Sequence, residues 1–86
     1  MRQGHLVEAF LEMMSAERGA ARNTLESYLR DLSSYGAHLS ALGRDFLEAD
    51  AADIRLHLRN LESSGLAAST QARLLSAIRQ FLRFLY

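Results

Sequence analysis

The chain has 86 residues, ten basic and ten acidic side chains for a formal net charge of zero, and neither cysteine nor proline. That length makes one small domain, near the lower limit for a single hydrophobic core, and the 49% hydrophobic share suffices to build it. The charge balance excludes a protein that is basic all over, the missing cysteines exclude a disulfide framework and thiolate zinc sites, and no apolar run reaches the roughly 20 residues of a membrane span.

The first helix is expected over about Gly4 to Arg18, with Val7, Phe10, Leu11 and Met14 at the i, i+3, i+4, i+7 spacing of a buried stripe. Gly19 stands where a left-handed cap belongs. The second helix is expected from about Asn23 to Leu42, burying Leu25, Tyr28, Leu29, Leu32, Tyr35, Leu39 and Leu42. Asn23 and Glu26 resemble a capping box, although the start could lie a residue or two earlier. Gly43 ends this helix, and Gly36 inside it marks a close helix crossing. The third helix starts near Asp50 as N-cap, buries Ala51, Ile54, Leu58 and Leu61, and stops before Gly65. Ser69 caps the fourth, which runs to the end of the chain. No segment alternates with period two. Four short helices with short joints predict a compact all-α domain of packed helical hairpins, a single unit over residues 1–86.

The fourth helix is unusual in its charge. From Ser63 to Tyr86 the chain has three arginines (Arg73, Arg79, Arg83) and no acidic residue. At 100° per residue, Leu74, Leu75, Ile78, Phe81, Leu82, Phe84 and Leu85 share one apolar arc. Ser69, Arg73, Ser76, Gln80 and Arg83 line up opposite, with Arg79 near the edge. Hydroxyl, amide and guanidinium donors without a carboxylate suit phosphate oxygens and base edges in a DNA major groove. A solvated face of an ordinary amphipathic helix is the plainer reading, but such faces usually mix both charge signs. Arg18, Arg22, Asn23, Thr24, Ser27 and Arg30 form a second group of donors, diluted by Glu26 and Asp31. Beside the last helix, they would complete a groove-facing surface. Every basic residue is arginine, which suits bidentate phosphate and guanine contacts.

Two stretches carry a family resemblance. Asn23 to Ser33 (NTLESYLRDLS) resembles "NTL-x-x-Y-x-x-DL", and Ser69 to Tyr86 (STQARLLSAIRQFLRFLY) resembles the other conserved run of the same group. Together with the opening VEAFLEMMSAERGA, they identify the chain as similar to the N-terminal core-binding, SAM-like domain of tyrosine recombinases, most like the Xer type. The resemblance implies a four-helix unit that clamps one side of a duplex recombination site through its second and fourth helices. A separate C-terminal domain would grip the other side and do the chemistry. It points to Asn23, Thr24, Ser27 and Arg30 on helix two, and to Ser69, Thr70, Gln71, Arg73, Ser76 and Arg79 on helix four. Arg22 joins this set from the donor cluster. The resemblance further implies other recombinase subunits in a synaptic tetramer and a division-associated activator protein as partners. It implies no cofactor, no membrane, and a cytoplasmic setting.

Such enzymes cut DNA with a tyrosine helped by two arginines, a lysine and histidines of the catalytic domain. This chain has no lysine, and Tyr86 falls at the aromatic position ending helix four rather than at the nucleophile. The chain therefore reads as a fragment without the catalytic domain, not itself an enzyme. His5, His38 and His57 lie on three helices without ligand spacing and read as surface residues, so no metal site is expected. Asp50 and Asp53 read as N-terminal helix charges rather than a catalytic pair. The competing reading is a helical adaptor that binds proteins through opposite-charge faces, since residues 44–62 hold five acids against three arginines.

Overall fold

A computed structural model of the chain describes residues 3–86, and within them four helices follow one another without any strand: α1 (Gly4–Arg18), α2 (Arg22–Ala41), α3 (Ala51–Ser63) and α4 (Ala68–Leu85). The all-α expectation therefore holds. Glycines end the first three helices as the punctuation predicts. At Gly43 and Gly65 the chain turns left-handed, with φ of 72° and 88°. The next residue's N–H then closes the open helix end: Arg44 N donates to the Leu39 carbonyl at 2.9 Å, and Leu66 N to the Leu61 carbonyl at 3.1 Å.

The helix starts divide into two kinds. Asp50 caps α3 in a complete capping box: its Oδ1 accepts from Asp53 N at 3.1 Å, and Asp53 Oδ2 accepts from Asp50 N at 3.0 Å. The caps expected at Asn23 and Ser69 are absent. Ala21 and Ala67 occupy the N-cap positions in extended conformation, and no side chain caps either helix. The reason is where the ladders begin. Leu25 N reaches the Ala21 carbonyl and Gln71 N the Ala67 carbonyl, each at 3.0 Å, which places Asn23 and Ser69 inside the first turn.

The core is built from Val7, Phe10 and Met14 of α1, Tyr28, Leu32, Tyr35 and Leu39 of α2, and Leu74, Ala77, Ile78 and Phe81 of α4. Phe46, from the α2–α3 connection, is also fully buried. Phe81 sits at an aromatic junction, edge-on to Phe10 at 5.4 Å and to Phe46 at 4.8 Å between ring centroids. Phe46 is anchored by its backbone N–H, which donates to Gln3 Oε1 at 3.0 Å. Gly36 is buried in α2, as a close crossing requires.

Two predicted apolar faces need correction. Leu29 and Leu42 are exposed: the buried stripe of α2 is narrow and runs through Tyr28, Asp31, Leu32, Tyr35 and Leu39, and α2 ends at Ala41, which leaves Leu42 as its C-cap. Leu29 lies one residue, about 100°, beyond that stripe. On α3, Ala51 is exposed and Ile54, Leu58 and Leu61 are only half-buried, while the buried side chains are Asp53 and His57. His57 is thus not a surface residue, and His38 is half-buried beside it with ring centroids 4.8 Å apart. Polar partners make this possible. Asp53 accepts from Arg44 Nη1 at 2.7 Å, His38 Nε2 lies 3.1 Å from the Asp53 carbonyl oxygen, and His57 Nε2 lies 3.5 Å from Ser34 Oγ. A hydrogen-bonded cluster thus joins α2 to α3, beside the half-buried Ile54, Leu58 and Leu61 that pack on the core.

Candidate nucleic-acid interface

Helical periodicity sets the donors of α2 and α4 on neighbouring surfaces. Asn23, Ser27 and Arg30 follow i, i+4, i+7 spacing on α2, and Ser69, Arg73, Ser76, Gln80 and Arg83 do the same over four turns of α4. Packing of the two helices brings part of both sets together. Asn23, Thr24, Ser27 and Tyr28 line one cleft with Arg73. Arg30, Asp31 and Ser34 line the adjoining one with Thr70 and, again, Arg73. Ser76 and Arg79 lie farther along α4, in a shallow groove with Gln80 and Arg83. Ser69 is exposed in the first turn of α4, and Arg22 is exposed at the start of α2.

Not every expected donor is free. Arg73 grips the buried Asp31 with a fork: Nε donates to Oδ2 and Nη2 to Oδ1, both at 2.9 Å. Hydrogen bonding to Asp31 also raises the Arg73 pKa above the ordinary guanidinium range. Gln71 turns back and donates from Nε2 to the Leu66 carbonyl at 3.0 Å, closing the α3–α4 turn. Ser76 Oγ accepts from Gln80 Nε2 at 3.1 Å. Arg22 pairs with Glu26 at 3.3 Å, one helical turn on, where both side chains are so exposed that the pair contributes little. Arg30, Arg79 and Arg83 are exposed and make no ion pair among the described residues.

Two features escape the linear reading. Tyr28 packs its ring into the core yet presents its hydroxyl to the polar surface, where Gln80 Nε2 donates to it at 2.9 Å. Gln80 also accepts from Arg18 Nη1 at 3.2 Å, so one amide links α1, α2 and α4. A tyrosine on an apolar stripe, whose hydroxyl needs a partner, was the available signal. Asp31 is the second: an acid on a buried stripe signals a buried cation partner.

Electrostatically, α2 and α4 have no acidic residue in their first turns and no side-chain cap, so the positive ends of both helices stay open. The surface offers hydroxyls, amides and three unpaired guanidiniums. Such a set suits anions, and these donors include no nucleophile with an adjacent base. Tyr86 is exposed and donates its hydroxyl to the Leu47 carbonyl at 3.2 Å. Among the described residues no three His, Asp or Glu side chains converge as a metal site, and no helix is long and apolar enough to cross a membrane.

Comparison with known proteins shows the family of the chain. The family described as "Phage integrase, N-terminal SAM-like domain" matches residues 7–86. The chain is 55% identical over 86 residues to the tyrosine recombinase XerD of Brucella abortus, covering 100% of the chain and 28% of that protein. It is 58% identical over 80 residues to XerD of Rhizobium meliloti, covering 93% of the chain and 26% of the relative. Against XerD of Caulobacter vibrioides the identity is 48% over 85 residues, 98% of the chain and 28% of the relative. The chain thus spans little more than a quarter of the length of these curated relatives. No solved structure matches it.

Proposed function

The chain belongs to the phage integrase N-terminal SAM-like family, and from that premise we propose that it is the DNA-binding domain of a Xer-like tyrosine site-specific recombinase. In this reading α2 and α4 enter the major groove of a duplex recombination site. Asn23, Thr24, Ser27 and Arg30 approach from α2, and Ser69, Thr70, Ser76 and Arg79 from α4, with Arg73 between the two sets and Arg22 and Gln71 at the margin of the same surface. The observation that carries the proposal is the acid-free polar face of α4, which packing joins to the donors of α2 along a shared seam. An adaptor that binds proteins has no need for a polar face of hydroxyls, amides and guanidiniums without one carboxylate.

Strand cutting and rejoining belong, in this reading, to a separate catalytic domain of the whole recombinase. That domain holds the other side of the site, so the present unit is half of a clamp. Its partners are the duplex site, further recombinase subunits in a synaptic tetramer and a division-associated activator, in a cytoplasmic setting. Alone it binds duplex at the non-specific level, about 10⁻⁴ to 10⁻⁶ M, because the second grip is not linked to it.

An NMR titration of the chain with a short duplex, at low and then higher salt, tests this directly. Salt-sensitive shifts are expected at residues 23–30 and 69–79. Shifts confined to α3, or dependent on protein concentration without DNA, would instead support the adaptor.

A further inference from the structure

Arg73 is central to the surface, lining both clefts of the α2–α4 seam, yet its charge is already engaged. Asp31 is buried and stands 42 residues away in sequence, and the two-pronged bond between them is the sole ion pair joining α2 to α4 among the described residues. A buried carboxylate deprived of its partner is strongly destabilising, so the Arg73 guanidinium is committed inward. A phosphate that approached it would also meet the Asp31 carboxylate behind, which cancels most of the attraction.

A second polar bond lies on the same seam. Gln80, seven residues beyond Arg73, donates to the hydroxyl of Tyr28, three residues before Asp31. Moving toward the C-terminus of α2 therefore means moving toward the N-terminus of α4. Leu74, Ala77 and Ile78 are buried between these two ties. Two directional bonds at separate levels fix both the distance and the rotation of one helix against the other, which apolar packing alone defines less sharply.

We propose that Arg73 is a positioning residue: through its fork on Asp31 it holds α4 against α2 so that the donors of both helices meet one groove in register, and it neutralises no phosphate itself. This rests on the DNA-binding reading above. The unpaired Arg30 and Arg79 carry the phosphate contacts instead.

The test is the salt dependence of binding between the 86-residue chain and a short fluorescein-labelled duplex of mixed sequence, followed by anisotropy. Each arginine that neutralises a phosphate adds about 0.9 to the slope of log K against log salt. Arg79→Ala is expected to flatten the slope by about that amount. The double variant Asp31→Leu with Arg73→Met exchanges the pair for apolar side chains and is expected to melt at or above the parent temperature. It should keep the parent slope and bind several-fold more weakly at every salt concentration. Arg73→Lys keeps the charge but loses the fork, so it should weaken binding in the same way. A slope lowered by about 0.9 in the double variant would make Arg73 a phosphate ligand and overturn the proposal. So would parent affinity in either variant. If the double variant does not fold, Arg73→Lys still decides. Absence of any salt-dependent binding by the parent chain would sink the DNA reading itself, and the positioning role with it.

Discussion

His57 and Tyr35 are buried side chains whose ionisation the fold opposes. Burial, with a smaller contribution from His38, holds the His57 imidazole down at about 4, against an ordinary value of 6.5. Its ring faces His38, Ser34 and Tyr35 of α2, and Asp53 lies one turn earlier on its own helix. Between those two values the unfolded chain takes up a proton that the folded chain refuses. Stability is therefore expected to fall as pH drops from about 6.5 toward 4, and His57→Gln should flatten that decline. Asp53 acts lower on the scale. The backbone N–H of Asp50, with Arg44, holds its carboxyl below the ordinary value of 3.8, so its contribution is lost only in more acidic solution. Tyr35 governs the alkaline side. Burial, aided by Asp53 and Asp50, pushes its phenol up to about 12 from 10, and stability should fall as pH rises above 10. Its hydroxyl has no hydrogen-bond partner among the described residues, so Tyr35→Phe should both abolish the alkaline decline and stabilise the fold by about 1 kcal/mol. Urea unfolding of the three proteins across pH separates these contributions.

At the level of helices, the ends are set by different physics on each side. The C-terminal stops depend on glycine conformation. A Cβ at Gly65 would meet open space, so the cost of Gly65→Ala is backbone strain alone, about 1–2 kcal/mol, measurable as a lower denaturant midpoint at constant m-value. These stops were legible in the sequence because the left-handed turn is a local property of one residue. The starts were legible only in part. Asp50 and Asp53 answer each other within three residues, and that box forms. Asn23 and Ser69 carried the same local signal, yet the preceding alanines supply the first acceptor carbonyls. Which carbonyl starts a ladder depends on how the chain leaves the previous turn, and residue preference does not encode that. The site shows the same division. The polar stripe of α4 follows from periodicity, whereas the bond from Arg73 to Asp31 joins residues that only packing brings together. The acid at position 31 looked like a diluting charge on a donor cluster and proves to be that cluster's anchor. His57 was misplaced for a related reason: its burial rests on Ser34 and His38, from another helix.

For the molecule as a whole, Phe81 is the side chain on which the others converge. It lies against Phe10 of α1 and Phe46 of the α2–α3 connection, and it is fully buried. Phe81→Ala should cost about 3–5 kcal/mol, a large share of what so small a domain has, and the loss of cooperative thermal unfolding in calorimetry would register it. Phe46 was invisible to helical periodicity because it belongs to no helix, and only the assembled core explains why a large ring sits in a connection. The same junction bears on how the domain is made. Phe10 waits for a partner 71 positions later in synthesis, and the apolar side chains of α3 are at most half-buried. While the ribosome is still adding the first three helices, the emerging polypeptide lacks the ring that closes its interior. Folding thus waits until all four helices have emerged, and α4 is the piece whose arrival lets the nascent chain collapse.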